Sequence, residues 1–265
     1  MKNQPIGVLD SGVGGLSILR EIIKKLPRES FIYLADSKNC PYGEKTSKEI
    51  YGLSRKMVKF LLAERVKLIV IACNTITVSC LDKLRIDFPS APIIGIVPVV
   101  KTASKLTKNG RIGILSTKQT AKSKYQRGLI EKFTDGLKVL NLGTDKLVPI
   151  IETGEHKDIK ILREELEPFL KFDIDTLALG CSHFPFLRKE IKQILGGKVR
   201  ILDSGGAVAR QVGRVLKNNH SLSVSQKQSS LLYTTGNVEK FQKNSSTLLG
   251  KRYAEMVKSA KRITL

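Results

Sequence analysis

Short apolar runs alternate along the chain with segments in which apolar residues recur every three or four positions. Residues 68–72 are five consecutive apolar residues, which is typical of a strand covered on both faces of a parallel sheet. In residues 47–64 the apolar positions instead follow helical spacing. This alternation predicts an α/β fold with parallel-type sheets flanked by helices.

The strand pattern occurs twice. Strands are expected at residues 6–9, 31–35, 68–72 and 93–97, and comparable runs follow about 106 to 108 positions later, at 112–115, 139–140, 176–180 and 199–202. A repeat at nearly constant spacing predicts two similar halves. We expect a pseudo-twofold relation between them, with an active site in the intervening cleft.

The end of the chain belongs to neither copy. A strand at residues 231–235 and a final helix near 246–256 are expected to pack back onto the first half. The predicted domains are therefore residues 1–97 together with 207–265, and an inserted second domain at 98–206.

Both copies of the third strand lead into a cysteine. Cys73 follows the first copy and Cys181 the second, where open α/β sheets place their ligands. A thiol near a helix N-terminus is expected to have a lowered pKa, since the helix dipole favours the thiolate. A single cysteine here is often only part of the core, but its repetition favours a functional pair.

Two opposed thiols suit a proton exchange in which one base removes a proton from carbon and the other returns it on the opposite face. Asp10 ends the first strand and His183 lies two positions beyond Cys181, so both are expected to reach the cleft. For Asp10, an N-cap of the following helix is the competing interpretation. His183 could also be a hydrogen-bonded polar residue without a catalytic role.

Four motifs in this order resemble glutamate racemase, a member of the cofactor-independent Asp/Glu racemase superfamily. They are Asp10-Ser11-Gly-Val-Gly-Gly15, Pro41-Tyr42-Gly43, Ala72-Cys73-Asn74-Thr75 and Gly180-Cys181-Ser182-His183. The resemblance covers nearly the whole chain. It implies interconversion of L- and D-glutamate without a cofactor or metal, supplying D-glutamate for peptidoglycan and cell-wall synthesis.

The resemblance also implies roles. Cys73 would deprotonate the D-enantiomer with help from Asp10, and Cys181 the L-enantiomer with help from His183. Glu152 matches a further acidic position. The substrate-binding positions are Ser11, Pro41, Tyr42, Gly43, Asn74, Thr75, Ser182 and, as weaker candidates, Thr117 and Thr120.

One motif departs from the family pattern, because Ser182 and Phe184 stand where threonine and tyrosine are usual. Serine keeps the hydroxyl group, so we expect activity to survive, although losing the threonine methyl group loosens that side of the pocket.

Several alternatives are open. Gly12-Val-Gly14 after a strand imitates a dinucleotide-binding loop, but the third glycine is replaced by Ser17. Cys73, Cys181 and His183 could bind a metal, although only three ligands are evident. Within the superfamily, aspartate racemase is the nearest alternative.

Composition limits the remaining classes. The net charge of +22 raises the alternative of a basic nucleic-acid-binding protein, but only 6% of residues are aromatic and the charge is spread along helices. The first six residues lack the apolar segment of a signal peptide, and no run is long enough to cross a membrane. We expect a cytoplasmic enzyme with glutamate as its partner, no membrane or nucleic-acid contact, and a homodimer as the family precedent.

Overall fold

Ten strands in the described part of the chain form two parallel sheets. The computed structural model describes residues 2–96, 99–154, 159–225 and 228–265. The strands are β1 (Ile6–Asp10), β2 (Phe31–Ala35), β3 (Leu68–Ile71), β4 (Ile93–Ile94), β5 (Arg111–Ser116), β6 (Lys138–Gly143), β7 (Thr176–Gly180), β8 (Arg200–Leu202), β9 (Ser230–Thr234) and β10 (Lys261–Arg262).

Helices flank these sheets. They are α1 (Leu16–Lys25), α2 (Ser47–Ala63), α3 (Asn74–Asp87), α4 (Val100–Leu106), α5 (Lys118–Lys122), α6 (Lys124–Phe133), α7 (Leu147–Thr153), α8 (Ile159–Lys171), α9 (Arg188–Leu195), α10 (Gly205–Asn218), α11 (Val238–Leu249) and α12 (Ala254–Lys258).

The predicted repeat is visible in the strand order. The first sheet runs β10-β9-β2-β1-β3-β4 and the second runs β6-β5-β7-β8. In each copy the first strand therefore lies between the second and third. Every pairing between these strands is parallel. This order creates a switch point at the carboxyl ends of the central strands, where α/β proteins bind ligands.

The central strands are buried because helices cover both faces. All residues of β1, β2, β3 and β7 are buried, which explains why their apolar runs lack polar alternation. One apolar cluster joins the two halves and includes Leu16 of α1, Phe169 of α8, Leu177 of β7 and Val212 of α10. One face of each sheet thus packs against a continuous core.

The end of the chain returns to the first sheet, as expected. β9 pairs with β2, from Phe31 opposite Ser230 to Ala35 opposite Thr234, and β10 pairs with β9. We retain residues 1–97 with 207–265 and residues 98–206 as proposed domains. Val97, the end of the first segment and of the predicted fourth strand, lies outside the described residues.

The predicted helix at 246–256 is wrong. α11 ends at Leu249, a 3-10 turn covers Lys251–Tyr253, and α12 begins at Ala254. Gly250 has a φ of +78°, which a continuing right-handed helix does not permit. No helix among the described residues is long and apolar enough to span a bilayer.

Candidate active site

Both cysteines of the repeat line the same small cavity, which has a volume of about 10 Å³. They lie at the carboxyl ends of β3 and β7. Eleven of the fourteen predicted site residues line this cavity: Ser11, Pro41, Tyr42, Gly43, Cys73, Asn74, Thr75, Thr117, Cys181, Ser182 and His183. Asp10, Thr120 and Glu152 stand behind these residues and contact them.

Cys73 is 4% exposed and forms the N-cap position of α3. The Ser11 hydroxyl lies 3.7 Å from its Sγ atom. Burial raises the pKa of the Cys73 thiol well above its usual range, and the nearby Asp10 charge acts in the same direction. The Ile76 amide and Ser11 oppose this shift without cancelling it. The expectation of a lowered pKa is therefore wrong for Cys73, because loss of hydration outweighs the helix N-terminus.

Asp10 is fully buried and joins the two cysteine motifs. Its Oδ1 accepts a hydrogen bond of 2.8 Å from the Gly12 N–H, and its Oδ2 accepts one of 3.0 Å from the Ser182 hydroxyl. Burial raises the pKa of Asp10 to about 6, although the charge of His183 acts in the opposite direction. The carboxylate does not cap α1, whose N-cap is Gly15.

Cys181, His183 and Glu152 form a hydrogen-bonded relay. The Cys181 Sγ lies 3.7 Å from His183 Nδ1, and His183 Nε2 lies 2.6 Å from Glu152 Oε1. The Val13 N–H donates to the same Glu152 oxygen at 2.7 Å. A proton on Nε2 is donated to Glu152, and Nδ1 is the ring nitrogen that faces the thiol.

His183 is 2% exposed, and its environment favours the imidazolium. Burial acts against the charged ring, but hydrogen bonds with Cys181, Cys40 and Glu152 outweigh it and raise the pKa of His183 well above its usual value. This ring is the hydrogen-bond partner of the Cys181 Sγ atom. The predicted helix start after Cys181 is replaced by a 3-10 turn at Phe184–Leu187, and α9 begins only at Arg188.

Two glycines of the first motif make room for this relay. A Cβ atom at Gly12 would lie 1.9 Å from Glu152 Oε1, and one at Gly14 would lie 2.3 Å from His183 Nδ1. Both distances are far below van der Waals contact. The dinucleotide-like glycine pattern is therefore explained by the close approach of two protein side chains.

Three threonine hydroxyls connect the two halves of the cavity. Thr75 Oγ1 lies 3.1 Å from Thr117 Oγ1 and 3.5 Å from Thr120 Oγ1, and Thr117 is hydrogen-bonded to Thr120 at 3.0 Å. All three side chains are buried. They place a polar wall beside Cys73 that can exchange hydrogen bonds with a polar ligand.

Asp36 was missed as a residue that supports the site. Tyr42 donates to Asp36 Oδ2 at 2.5 Å, and Thr235 donates to Asp36 Oδ1 at 2.7 Å. Asp36 directly follows β2, much as Asp10 ends β1. This position at the carboxyl end of a strand is the sequence signal that could have identified Asp36. Asp145 and Val148 also line the cavity without a comparable signal.

The sequence suggested Cys73, Cys181 and His183 as an alternative set of metal ligands, but the fold groups a different set. Among the described residues, the grouped potential ligands are Cys40, Glu152 and His183, whose ligand atoms all lie within 4.8 Å of one another. Burial raises the pKa of Cys40 to about 12, with the Glu152 charge as the next cause. Cys73 and Cys181 do not belong to this group.

Comparisons with known proteins show which family the chain belongs to. Residues 6–212 match the family model described as Asp/Glu/Hydantoin racemase. The chain is 42% identical over 234 residues to a glutamate racemase of Clostridium perfringens, covering 87% of this chain and 90% of the relative. A Bacillus cereus glutamate racemase is 37% identical over 253 residues, covering 94% of each chain.

Solved structures show the same similarity. A glutamate racemase from Bacillus anthracis superposes with a TM-score of 0.89 at 34% identity, covering 100% of this chain and 99% of that one. The Escherichia coli enzyme, solved with L-glutamate and the activator UDP-MurNAc-Ala, has a TM-score of 0.86 at 32% identity and 98% coverage of both chains. The chain therefore belongs to the Asp/Glu/Hydantoin racemase family and, within it, to the glutamate racemases.

Proposed function

We propose that this chain interconverts L- and D-glutamate by exchanging the Cα proton between Cys73 and Cys181. The observation that carries the proposal is the presence of both thiols at one cavity, each beside its own titratable group. Asp10 is close enough to Cys73 to act on its pKa, and His183 contacts Cys181 directly. Inversion by proton exchange requires one weak base on each face of the substrate Cα atom.

The two cysteines suit opposite starting charges. The raised pKa of Cys73 keeps this group as a thiol, and we assign the starting thiolate to Cys181, whose Sγ is hydrogen-bonded to the His183 ring. In the L-to-D direction, the Cys181 thiolate takes the Cα proton and the Cys73 thiol donates its proton to the opposite face. The reaction leaves Cys181 protonated and Cys73 as a thiolate, and the D-to-L direction is the reverse.

Two proton transfers restore the starting state: Cys181 releases to solvent the proton that it gained, and Cys73 recovers the proton that it lost. The Cys73 thiolate regains a proton by way of Asp10, whose pKa of about 6 allows it to carry protons near neutral pH. The Glu152 carboxylate holds the His183 ring with Nδ1 toward Cys181. Glu152 and Asp10 are therefore assigned to proton transfer and positioning, with the thiols as the bases at carbon.

The remaining residues suit the carboxylates and the ammonium group of an amino acid. Asn74 and Thr75 begin α3, where backbone N–H groups and the helix dipole favour an anion. Ser11, Ser182 and the threonine hydroxyls add donors around the thiols. Pro41, Tyr42 and Gly43 form the adjoining wall, which Asp36 holds in place through Tyr42.

Glutamate is preferred to aspartate as the substrate because the relatives at 37 to 42% identity are glutamate racemases. The Francisella tularensis relative was solved with D-glutamate, at 28% identity. We assign the product to peptidoglycan synthesis in the cytoplasm, following the family resemblance. A homodimer is part of the same proposal.

Isotope exchange tests the reaction. Protein stripped of metal with a chelator is expected to convert L-glutamate in D2O to a racemic mixture, with deuterium at Cα of the D-product. Optical rotation and mass spectrometry measure the two events. Racemisation without deuterium would contradict the two-base exchange, and turnover of aspartate alone would contradict the substrate.

The pH profile tests Asp10. We expect kcat/KM for glutamate to fall as the pH drops through about 6, because a protonated Asp10 cannot accept the proton that Cys73 must lose in the D-to-L direction. Above that pH the carboxylate is present and the rate is maintained. Asp10→Asn should lower the rate and remove this acidic limb. An unchanged limb in Asp10→Asn would show that another group titrates.

A further inference from the structure

A cluster of three metal-binding side chains lies beside the thiol pair: His183 lines the cavity that contains the pair, whereas Cys40 and Glu152 lie outside it. Cys40, Glu152 and His183 come from three distant parts of the chain, yet their potential ligand atoms all lie within 4.8 Å of one another. Bonds of about 2.0 to 2.3 Å in a tetrahedral zinc site bring ligand atoms to roughly 3.3 to 3.8 Å. Side-chain shifts on the order of 1 Å therefore suffice to close the cluster around a cation.

We propose that Cys40, Glu152 and His183 form an inhibitory site for a thiophilic divalent cation such as Zn²⁺. One thiolate, one carboxylate and one imidazole are a ligand set that zinc accepts, and oxygen-preferring Mg²⁺ or Ca²⁺ would not select the sulfur. The thiolate and the carboxylate together offset both charges of the cation. Among the described residues, both hydrogen bonds to the Glu152 carboxylate involve Oε1, so Oε2 is available as a ligand.

The cluster has an access route that the thiol pair does not share. Cys40 and Glu152 line a separate cavity of about 270 Å³, whose other walls include Phe241 and Asn244. Asn244 is 4% exposed, and its Oδ1 has no hydrogen-bond partner among the described residues. A water molecule in the fourth position of the cation would find both space and an acceptor there.

Binding changes the proton balance of the relay. The cation replaces the Cys40 thiol proton and the proton shared by Glu152 and His183, and both protons pass to solvent. His183 then binds the metal through Nε2, and its ring loses the positive charge that faces Cys181. The inhibitory consequence rests on the proposed function, whereas metal binding itself does not.

Cobalt spectroscopy and zinc calorimetry test the site on the full chain after removal of metal. We expect one equivalent of Co²⁺ to produce a thiolate-to-cobalt charge-transfer band, and one equivalent of Zn²⁺ to bind and slow racemisation. Cys40→Ser should remove the band and weaken zinc binding by at least about 10- to 100-fold. Zinc inhibition should weaken in parallel.

Cys80→Ser is the matched control, because Cys80 is a free cysteine like Cys40 but lies on α3, where its thiol donates to the Ile76 carbonyl. It should keep the band and the zinc affinity. The proposal is overturned if wild type binds no equivalent of metal, or if the band survives Cys40→Ser and disappears in Cys73→Ser. If the band depends on Cys40 while glutamate is not turned over, the metal site stands and the proposed function fails.

Discussion

Replacing either Cys73 or Cys181 by alanine is expected to abolish racemisation of glutamate. Each variant retains one base but lacks the group that acts on the opposite face of Cα. Positioned acid–base groups contribute about 10²- to 10⁴-fold each, so kcat/KM should fall at least that far in both directions. Circular dichroism at a wavelength that reports the enantiomeric excess of glutamate measures the loss.

Cys80→Ala provides the matched control. Cys80 lies on α3, the helix that Cys73 precedes, and its thiol donates to the Ile76 carbonyl at 3.4 Å without lining the catalytic cavity. This variant should racemise glutamate at nearly the wild-type rate. Wild-type rates in Cys73→Ala or Cys181→Ala would refute the thiol roles, and thermal unfolding of all three variants identifies any loss caused by misfolding.

Replacing His183 by asparagine should lower kcat/KM by about 10²- to 10⁴-fold, because Cys181 loses the ring to which its Sγ is hydrogen-bonded. The loss should be equal for L- and D-glutamate. The two enantiomers have the same free energy in water, so the equilibrium constant is one and kcat/KM must match in both directions. Stopped assays from each enantiomer measure this equality.

His220→Asn is the control for this substitution. His220 is exposed, and its φ of +49° is one that asparagine adopts readily, so the substitution should leave the rate and stability nearly unchanged. The kcat/KM of Glu152→Gln should lie between those of His183→Asn and His220→Asn, since the amide keeps the side-chain volume but loses the charge that faces His183. If His183→Asn retained full activity, the relay from Cys181 to Glu152 would have no part in the reaction.

Much of the fold could be predicted from local patterns. Unbroken apolar runs predicted the buried central strands, and their repetition at nearly constant spacing predicted two similar halves. The order of the strands in each sheet was not predicted, although the repeated strands follow the same order in both. The final helix was the main error. Its apolar spacing continued through Gly250, and only the backbone conformation at that glycine shows where the helix ends.

Part of the candidate site could be predicted from the sequence. Residues inside the repeated motifs were found because they follow strands, and parallel strands bring their carboxyl ends together. The contact between Cys40 and His183 was not predicted, because it joins segments that are far apart in sequence. The hydrogen bond from Ser182 to Asp10, across 172 positions, is equally invisible to any local pattern.

The sequence by itself determined the α/β class, the repeated strands, the paired cysteines and the family resemblance, because each depends on residue type and spacing along the chain. Tertiary structure alone decided which charges surround each thiol. It buried Cys73 deeply enough that lost hydration outweighs the helix N-terminus, and it brought Glu152 to His183 through the space left by Gly12 and Gly14. The physical reason is that desolvation and charge–charge interactions depend on distance in space, which the packing of the two sheets sets.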